Sequence, residues 1–426
     1  MESKRAKTVI VLGADGYLGW PTSLHLSAQG HHVIAADSLV RRRWDRKGGT
    51  GSLVPIRSMP ERVRRWREVT GRQILWQRAD LLDAAGLSAL IRDHRPDAIV
   101  HFAEQRSAPF SMIDRYHAAL TQYNNVIGTL NLLFAMREYA PQAHLIKLGT
   151  MGEYGTPGIA IEEGFITIEH EGRSDRLPFP KLPGSFYHLS KVHDSHNIHF
   201  ACRTWGLRST DLNQGVVYGA TSDEIGDDPD LATRFDYDAV WGTVLNRFCT
   251  QAALGRPLSV YGRGGQTRGI LDLRDTLACI RITLDNPAGP GEYRVFNQFT
   301  EQFSVLELAH KVEEARAAHG LETQIDHVPN PRVELEDHFY SAKHQALLDL
   351  GLEPHLLGST LIESVITTVE RRRRRIRPEL LGAPDVDWRE GRRSPQGRAF
   401  RPRLLEGGEV GAEAQAEENA EGGPAS

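Results

Sequence analysis

The chain opens with apolar runs separated by amphipathic stretches. Thr8-Val-Ile-Val-Leu-Gly13 is short and wholly apolar up to its glycine, as in a strand buried on both faces. A helical stretch follows and ends at Gly30, and His32-Val-Ile-Ala-Ala-Asp37 predicts a second strand. Residues 73–76, 97–103 and 145–150 predict a third, fourth and fifth, each preceded by a helical pattern. Strands alternating with helices predict a doubly wound parallel sheet with its sites at the strands' carboxyl ends. The segment from the second strand to residue 72 is charged and rich in turn residues, and it predicts a long structured loop over a ligand.

Beyond residue 208 the order changes. Residues 209–219 read as a strand and turn, 223–235 as a flexible acidic loop, and 236–256 as a helix. The expected division is a dinucleotide-binding domain over 1–208 and a smaller substrate-binding region over 209–368, with segments interleaved. From 369 the composition shifts to five consecutive arginines at 371–375, then to a tail rich in Glu, Gly and Ala. A solvated helix end and a disordered acidic tail are expected, with contact to an anionic membrane as the alternative.

Composition narrows the class. A chain of 426 residues with 40% hydrophobic and 25% charged content is ordinary for a globular protein. A formal net charge of −4 gives no reason to expect a nucleic-acid partner. Cys202, Cys249 and Cys279 are too widely spaced for a ligand pattern and read as buried thiols in a reducing compartment. No apolar run approaches the roughly 18 residues that span a bilayer, so no membrane insertion is expected. The amino terminus runs straight into a strand, so no leader peptide and a cytoplasmic location are expected.

Two stretches carry candidate chemistry. Gly13-Ala-Asp15-Gly16-Tyr17-Leu-Gly19 joins the first strand to its helix. Such glycines let the backbone approach a pyrophosphate, and an acid such as Asp37 holds ribose hydroxyls. Asp37 would repel a 2′-phosphate, so NAD is expected, with Arg41 near the adenosine and Arg42 and Arg43 facing solvent. Asp80 and Leu81, after the third strand, are placed to meet the adenine.

The other stretch is Ser185-Phe-Tyr-His-Leu-Ser-Lys191, which reads as helical. Tyr187 and Lys191, four residues apart, share one face. A nearby ammonium favours phenolate, so Tyr187 is a candidate base for a hydroxyl proton as hydride leaves the carbon. Arg106, leaving the fourth strand, is expected to face an anion, and Asn125 to bond the backbone near Lys191. Gln266, Arg268 and Arg332 suit a diphosphate, because arginine offers fork-shaped donors. His193, His196 and His199 read as ordinary helix residues, and no metal is expected.

The glycine turn, Thr150, the Tyr187/Lys191 pair and the later arginines together are similar to extended short-chain dehydrogenases/reductases acting on nucleotide sugars. Gly16-Tyr-Leu-Gly-Trp20, Lys147-Leu-Gly-Thr-Met-Gly-Glu-Tyr-Gly155 and Thr210-Asp-Leu-Asn-Gln-Gly-Val-Val-Tyr-Gly219 resemble the UDP-sulfoquinovose synthase family. The likeness runs from about residue 8 to 368. It implies a Rossmann-type fold, a tightly held NAD, UDP-glucose as substrate, and sulfite, either free or delivered by a partner enzyme. A homodimer is expected by analogy.

The resemblance also implies roles. Tyr187 takes the C4 hydroxyl proton, Thr150 polarises the same oxygen, Lys191 bonds the nicotinamide ribose, and His188 and Glu153 transfer protons around C5 and C6. Gly13, Asp15, Gly16, Tyr17, Gly19, Asp37, Arg41, Asp80 and Leu81 are implied at the cofactor beside Tyr187 and Lys191. Arg106, Asn125, Thr150, His188, Asn213, Gln214, Thr243, Arg247, Gln266, Arg268 and Arg332 are implied at the substrate. One departure stands out. Nucleotide-sugar 4,6-dehydratases carry Asp-Glu after the threonine, where this chain has Met151 and Gly152. That disfavours a plain dehydratase. An epimerase needs only the Tyr, Thr and Lys and stays open, as does a cofactor-binding protein without catalysis.

Overall fold

The chain, a computed structural model, is described at residues 5–335, 338–382 and 386–390. Seven strands form one sheet in the order Tyr293–Gln298, Arg208–Gln214, His144–Thr150, Ala98–His101, Thr8–Leu12, His32–Asp37, Ile74–Arg78. Every neighbouring pair is parallel. The chain builds outward from Thr8–Leu12 in one direction, then returns to build from its other edge. The reversal leaves a crevice at the carboxyl ends of Thr8–Leu12 and Ala98–His101, where this fold type binds ligands.

Burial on both faces explains the apolar runs. In the first strand Val9 and Val11 join a core cluster with Trp20 and Leu24, while Ile10 and Leu12 join another with Leu87 and Leu132. Gly13 follows with φ of +85°, and a Cβ there would lie 2.7 Å from the Phe102 carbonyl carbon. A Cβ on Gly19, the first residue of the helix Gly19–Ala28, would lie 2.0 Å from the Gly13 oxygen. Only glycine lets the helix start so close to the strand end.

A second core packs the helices Val244–Ala253, Val305–Ala317 and Ser359–Glu370 around Phe235, Phe248, Leu308 and Val365. Two small sheets flank them. Leu53 and Val54 also join that core. The arginine run follows Ser359–Glu370, and Arg375 Nε donates to Leu53 O at 3.1 Å. The acidic tail lies outside the described residues. All three cysteines are free and buried, and burial pushes each thiol up to about 12. Among the described residues no helix is long and apolar enough to cross a membrane.

The structure departs from the sequence reading in four places. The expected loop up to residue 72 contains two helices, Val40–Gly48 and Met59–Thr70. Ser58 and Glu61 form a capping box on the second, a local signal that the charged composition masks. Residues 223–235 are packed rather than loose: Ile225, Leu231 and Phe235 are buried, and Trp20 Nε1 donates to Leu231 O at 2.8 Å. The helix expected over 236–256 is confined to Val244–Ala253, because Asp238 Oδ1 accepts from the Val240 and Trp241 amides and holds a turn. An unforeseen antiparallel hairpin, Phe165–His170 with Arg173–Pro178, stands mostly exposed.

Gly19→Ala tests the tight turn. Overpacking against the Gly13 carbonyl should lower unfolding free energy by about 1–3 kcal/mol. Urea denaturation at constant m-value reads the change, and an unchanged midpoint would show that the contact imposes no constraint.

Candidate active site

A cavity of about 280 Å³ opens at the crevice. Gly13, Asp15, Gly16, Tyr17, Gly19, Asp37, Arg41, Asp80, Leu81, Tyr187 and Lys191 all line it. Arg106, Thr150, Gln214 and Thr243 line it too. The glycine cradle, which a Cβ would fill, fits a pyrophosphate lying against backbone. Asp37 accepts from the amides of Asp15 at 2.9 Å and Leu39 at 2.6 Å. Burial, then the nearby Asp15 carboxylate, pushes it up to about 6.

The side chain of Asp15 turns away from the crevice into a cluster of arginines. Arg42 NH2 lies 2.7 Å from Oδ1, Arg62 NH1 3.1 Å from Oδ1, and Arg234 NH2 3.4 Å from Oδ2. Burial works against the Asp15 charge, yet these guanidinium groups hold its pKa below the usual carboxylate range. Arg42 therefore does not face solvent as the sequence suggested. Arg41 is likewise engaged, with Asp45 at 2.9 Å and Asp236 at 3.0 Å, and it stacks 3.8 Å from the Trp241 ring centre. Arg234 reaches Asp45 at 2.6 Å, and Arg106 reaches Asp236 at 2.5 Å. Arg106 thus meets the cavity as one member of a pair rather than as a free cation.

Tyr187 and Lys191 lie on the helix Phe186–Trp205, capped by Ser185. Lys191 Nζ donates to Leu148 O at 2.6 Å and pairs with Glu104 Oε2 at 2.6 Å. It stands 6.0 Å from the Tyr187 ring centre. Burial raises the phenol pKa and outweighs the pull of Lys191, so the net direction is upward, opposite to the lowering expected from spacing alone. Thr150 Oγ1 accepts from the Gly152 amide at 3.2 Å, which leaves its own hydroxyl hydrogen free for the cavity. Asn125 donates to Gln105 O at 3.0 Å and Ser190 Oγ at 2.9 Å, so it braces the wall beside Lys191 and does not line the cavity. A π-helical turn, Tyr123–Ile127, carries it there.

His188 explains the Met151-Gly152 departure. A Cβ on Gly152 would come within 2.3 Å of His188 Nε2, so the imidazole fills the space that a side chain at 152 would need. Its ring centre is 5.2 Å from that of Tyr187, and Nδ1 is 3.1 Å from Ser185 Oγ. Burial, then Arg332 and Arg268, lowers its pKa to about 3, and the ring is neutral at physiological pH.

Glu153 does not reach the reacting side. It is fully buried, with Lys147 Nζ 3.3 Å from Oε1, Ser195 Oγ bonded to Oε2 at 3.0 Å, and Lys181 paired to Oε2. Burial opposes its charge, but Lys147 and then Lys181 hold it down to about 2. Lys147 also pairs with Asp211 at 3.2 Å. This carboxylate is the foot of a buried polar network, not a group open to ligand.

Of the remaining substrate candidates, Asn213, Arg247, Gln266, Arg268 and Arg332 do not line the cavity, while Gln214 and Thr243 do. Arg247 NH1 donates to Tyr261 OH at 2.6 Å, and Gln266 Nε2 donates to Tyr261 O at 3.2 Å. Arg268 pairs with Glu334, and the Arg332 guanidinium lies 5.4 Å from the Trp388 ring centre. Asn213 donates to Tyr154 OH at 2.9 Å beneath the sheet end. Gln214 donates to Gln298 Oε1 at 3.0 Å. Thr243 Oγ1, Arg247 Nε and Gln266 Oε1 are buried polar atoms without a hydrogen-bond partner among the described residues.

Sequence reasoning missed Glu104, Trp44, Asp236 and Trp241. Trp44 stacks on Trp241 with ring centres 6.1 Å apart, and Phe110 packs 5.0 Å from Trp241. The tryptophans line the cavity from segments some 200 residues apart, a partnership no local pattern announces.

Residues 9–297 match the NAD dependent epimerase/dehydratase family, and the chain belongs to it. A UDP-glucose 4-epimerase from Stenotrophomonas maltophila, with bound NAD and formylated UDP-arabinopyranose, shares the fold at TM-score 0.65 and 20% identity. The match covers 87% of this chain and 100% of that one. Within the family the chain belongs with the UDP-sulfoquinovose synthases. It is 55% identical over 390 residues to the chloroplastic enzyme of Spinacia oleracea, covering 92% of this chain and 81% of that one. It is 44% identical over 347 residues to the enzyme of Sulfolobus acidocaldarius, covering 81% and 88%.

Two outcomes follow for the buried network. Glu153 is depressed to about 2 from an unfolded value near 4.3, so its stabilisation is complete above about pH 4.5 and is lost as pH falls towards 2. Lys147→Met leaves the carboxylates of Glu153 and Asp211 short of a cation and should cost about 3–5 kcal/mol at neutral pH. It should also flatten that acid limb. Urea denaturation across the range measures both.

Proposed function

We propose that this chain converts UDP-glucose and sulfite to UDP-sulfoquinovose and water, using NAD that is regenerated within each turnover. The observation that carries the reading is 55% identity over 92% of the chain to an enzyme of that name, with Thr150, Tyr187 and Lys191 gathered at one cavity. We assign residues 1–208 mainly to the cofactor and 209–368 mainly to the nucleotide sugar. NAD held by Gly13, Gly16, Asp37 and Lys191 would supply the hydride acceptor and donor for C4.

The protein's own groups do the rest. Tyr187 removes the C4 hydroxyl proton while Thr150 donates to the same oxygen, and the ketone that forms makes C5–H acidic. His188 is neutral and has Nδ1 occupied by Ser185, which leaves Nε2 as the transferring atom. It takes the C5 proton and gives it to the departing C6 hydroxyl, which leaves as water. The resulting alkene, conjugated with the ketone, accepts sulfite sulfur at C6. The sulfite enters as hydrogensulfite, whose proton passes through His188 Nε2 to C5, and Tyr187 returns its proton to the C4 oxygen. Arg106, softened by Asp236, guides the anion without trapping it. Glu153 and Lys147 hold the floor on which the helix of Tyr187 rests.

Arg247, Gln266, Arg268 and Arg332 form the diphosphate side. Two copies are proposed to pair through the exposed Phe134 and Phe200 on the helices Gly128–Tyr139 and Phe186–Trp205. Three buried thiols suit a reducing compartment, and we propose the cytoplasm.

Mass spectrometry of protein incubated with UDP-glucose, NAD and sulfite should show a sulfonated UDP-hexose that is absent without sulfite. Tyr187→Phe should lower its formation by about a hundredfold or more. UDP-galactose or a stable 4-keto-6-deoxy sugar in its place would overturn the reading in favour of an epimerase or a dehydratase.

A further inference from the structure

Glu104 lies just past the strand Ala98–His101, where the chain turns into the cavity wall. Its carboxylate stands 2.6 Å from Lys191 Nζ, with the two side chains 2% and 3% exposed. The other oxygen is 3.3 Å from His101 Nε2. Burial lowers His101 to about 4, so its ring is neutral and Lys191 is left as the counter-ion. Neighbouring carboxylates hold Lys191 protonated and the cations hold Glu104 ionised, each against the cost of burial. Lys147 faces Glu104 from the strand His144–Thr150, and Asp194 and Tyr187 face it from the helix Phe186–Trp205. Neither oxygen of Asp194 has a hydrogen-bond partner among the described residues.

A cation and an anion this close act on a third group as a dipole, far more weakly than an isolated ammonium. The pair therefore decides how much of the Lys191 charge reaches the phenol. We propose that Glu104 is a positioning residue that anchors the Lys191 ammonium against Leu148 O and offsets most of its charge at Tyr187. It thereby sets the pH at which Tyr187 becomes the phenolate that takes the C4 hydroxyl proton. This rests on Tyr187 being the base of the proposed reaction.

The test is an ultraviolet titration of phenolate on the full chain carrying NAD, with the matching Tyr187→Phe protein subtracted each time. Glu104→Gln keeps the shape and an acceptor oxygen but removes the charge. Its Tyr187 titration should move to lower pH by about one unit, a tenfold gain in phenolate at a fixed pH, with NAD content retained. A merely structural role for Glu104 would leave the curve in place, and an unshifted curve in folded, NAD-bearing Glu104→Gln overturns the proposal. Should that variant not fold, Glu104→Asp keeps the charge. Its curve should stay with the wild type, and a downward shift as large as one unit overturns the proposal. The titration needs no turnover, so it stands apart from whether sulfonated product forms.

Discussion

The structure depends on a mostly buried file of alternating charges that begins at the glycine turn and ends at the cavity wall. It runs from Asp15 through Arg234, Asp45, Arg41 and Asp236 to Arg106, with Arg42 and Arg62 closing the Asp15 end. Taking ions out of water costs several kcal/mol each, and close partners recover that only in accurate geometry. Such a file adds little net stability. What it supplies is position, because a shift at any link leaves a charge unmatched. The cavity roof is held this way, with Trp241 under the Arg41 guanidinium and Trp44 stacked on Trp241.

Below the roof, a second set of buried charges fixes the floor. Lys147 meets Glu153 and Asp211 and also donates to Lys191 O at 3.4 Å, so the network touches the backbone of the reactive helix. Lys191 is in turn held from the opposite wall by Glu104. Lys191 is thus held between two ionic layers.

Legibility in the sequence followed the range of the interactions. The doubly wound sheet was readable because burial on both faces writes an uninterrupted apolar run, as at Val9 to Leu12. Gly13, Gly16 and Asp37 were readable because one turn brings them together. Their place on the cavity followed from that unit. Arg41 and Arg106 were placed at the cavity with the wrong neighbours, and Arg42 was wrongly placed at solvent, since their partners Asp236 and Asp15 are chosen by tertiary packing. Glu153 sits three residues from Thr150, yet the chain turns it into the interior, back towards Lys147 on the strand that Thr150 ends and towards Lys181 on a loop. Helix limits failed where a side chain competed with the backbone, as Asp238 does at Val240 and Trp241.

The contact between Gly152 and His188 also bears on substitution. A Cβ at 152 would meet His188 Nε2 at 2.3 Å, so any side chain there requires the imidazole to move. Changes at 152 and 188 are therefore coupled: a larger residue at 152 fits more easily beside a smaller one at 188.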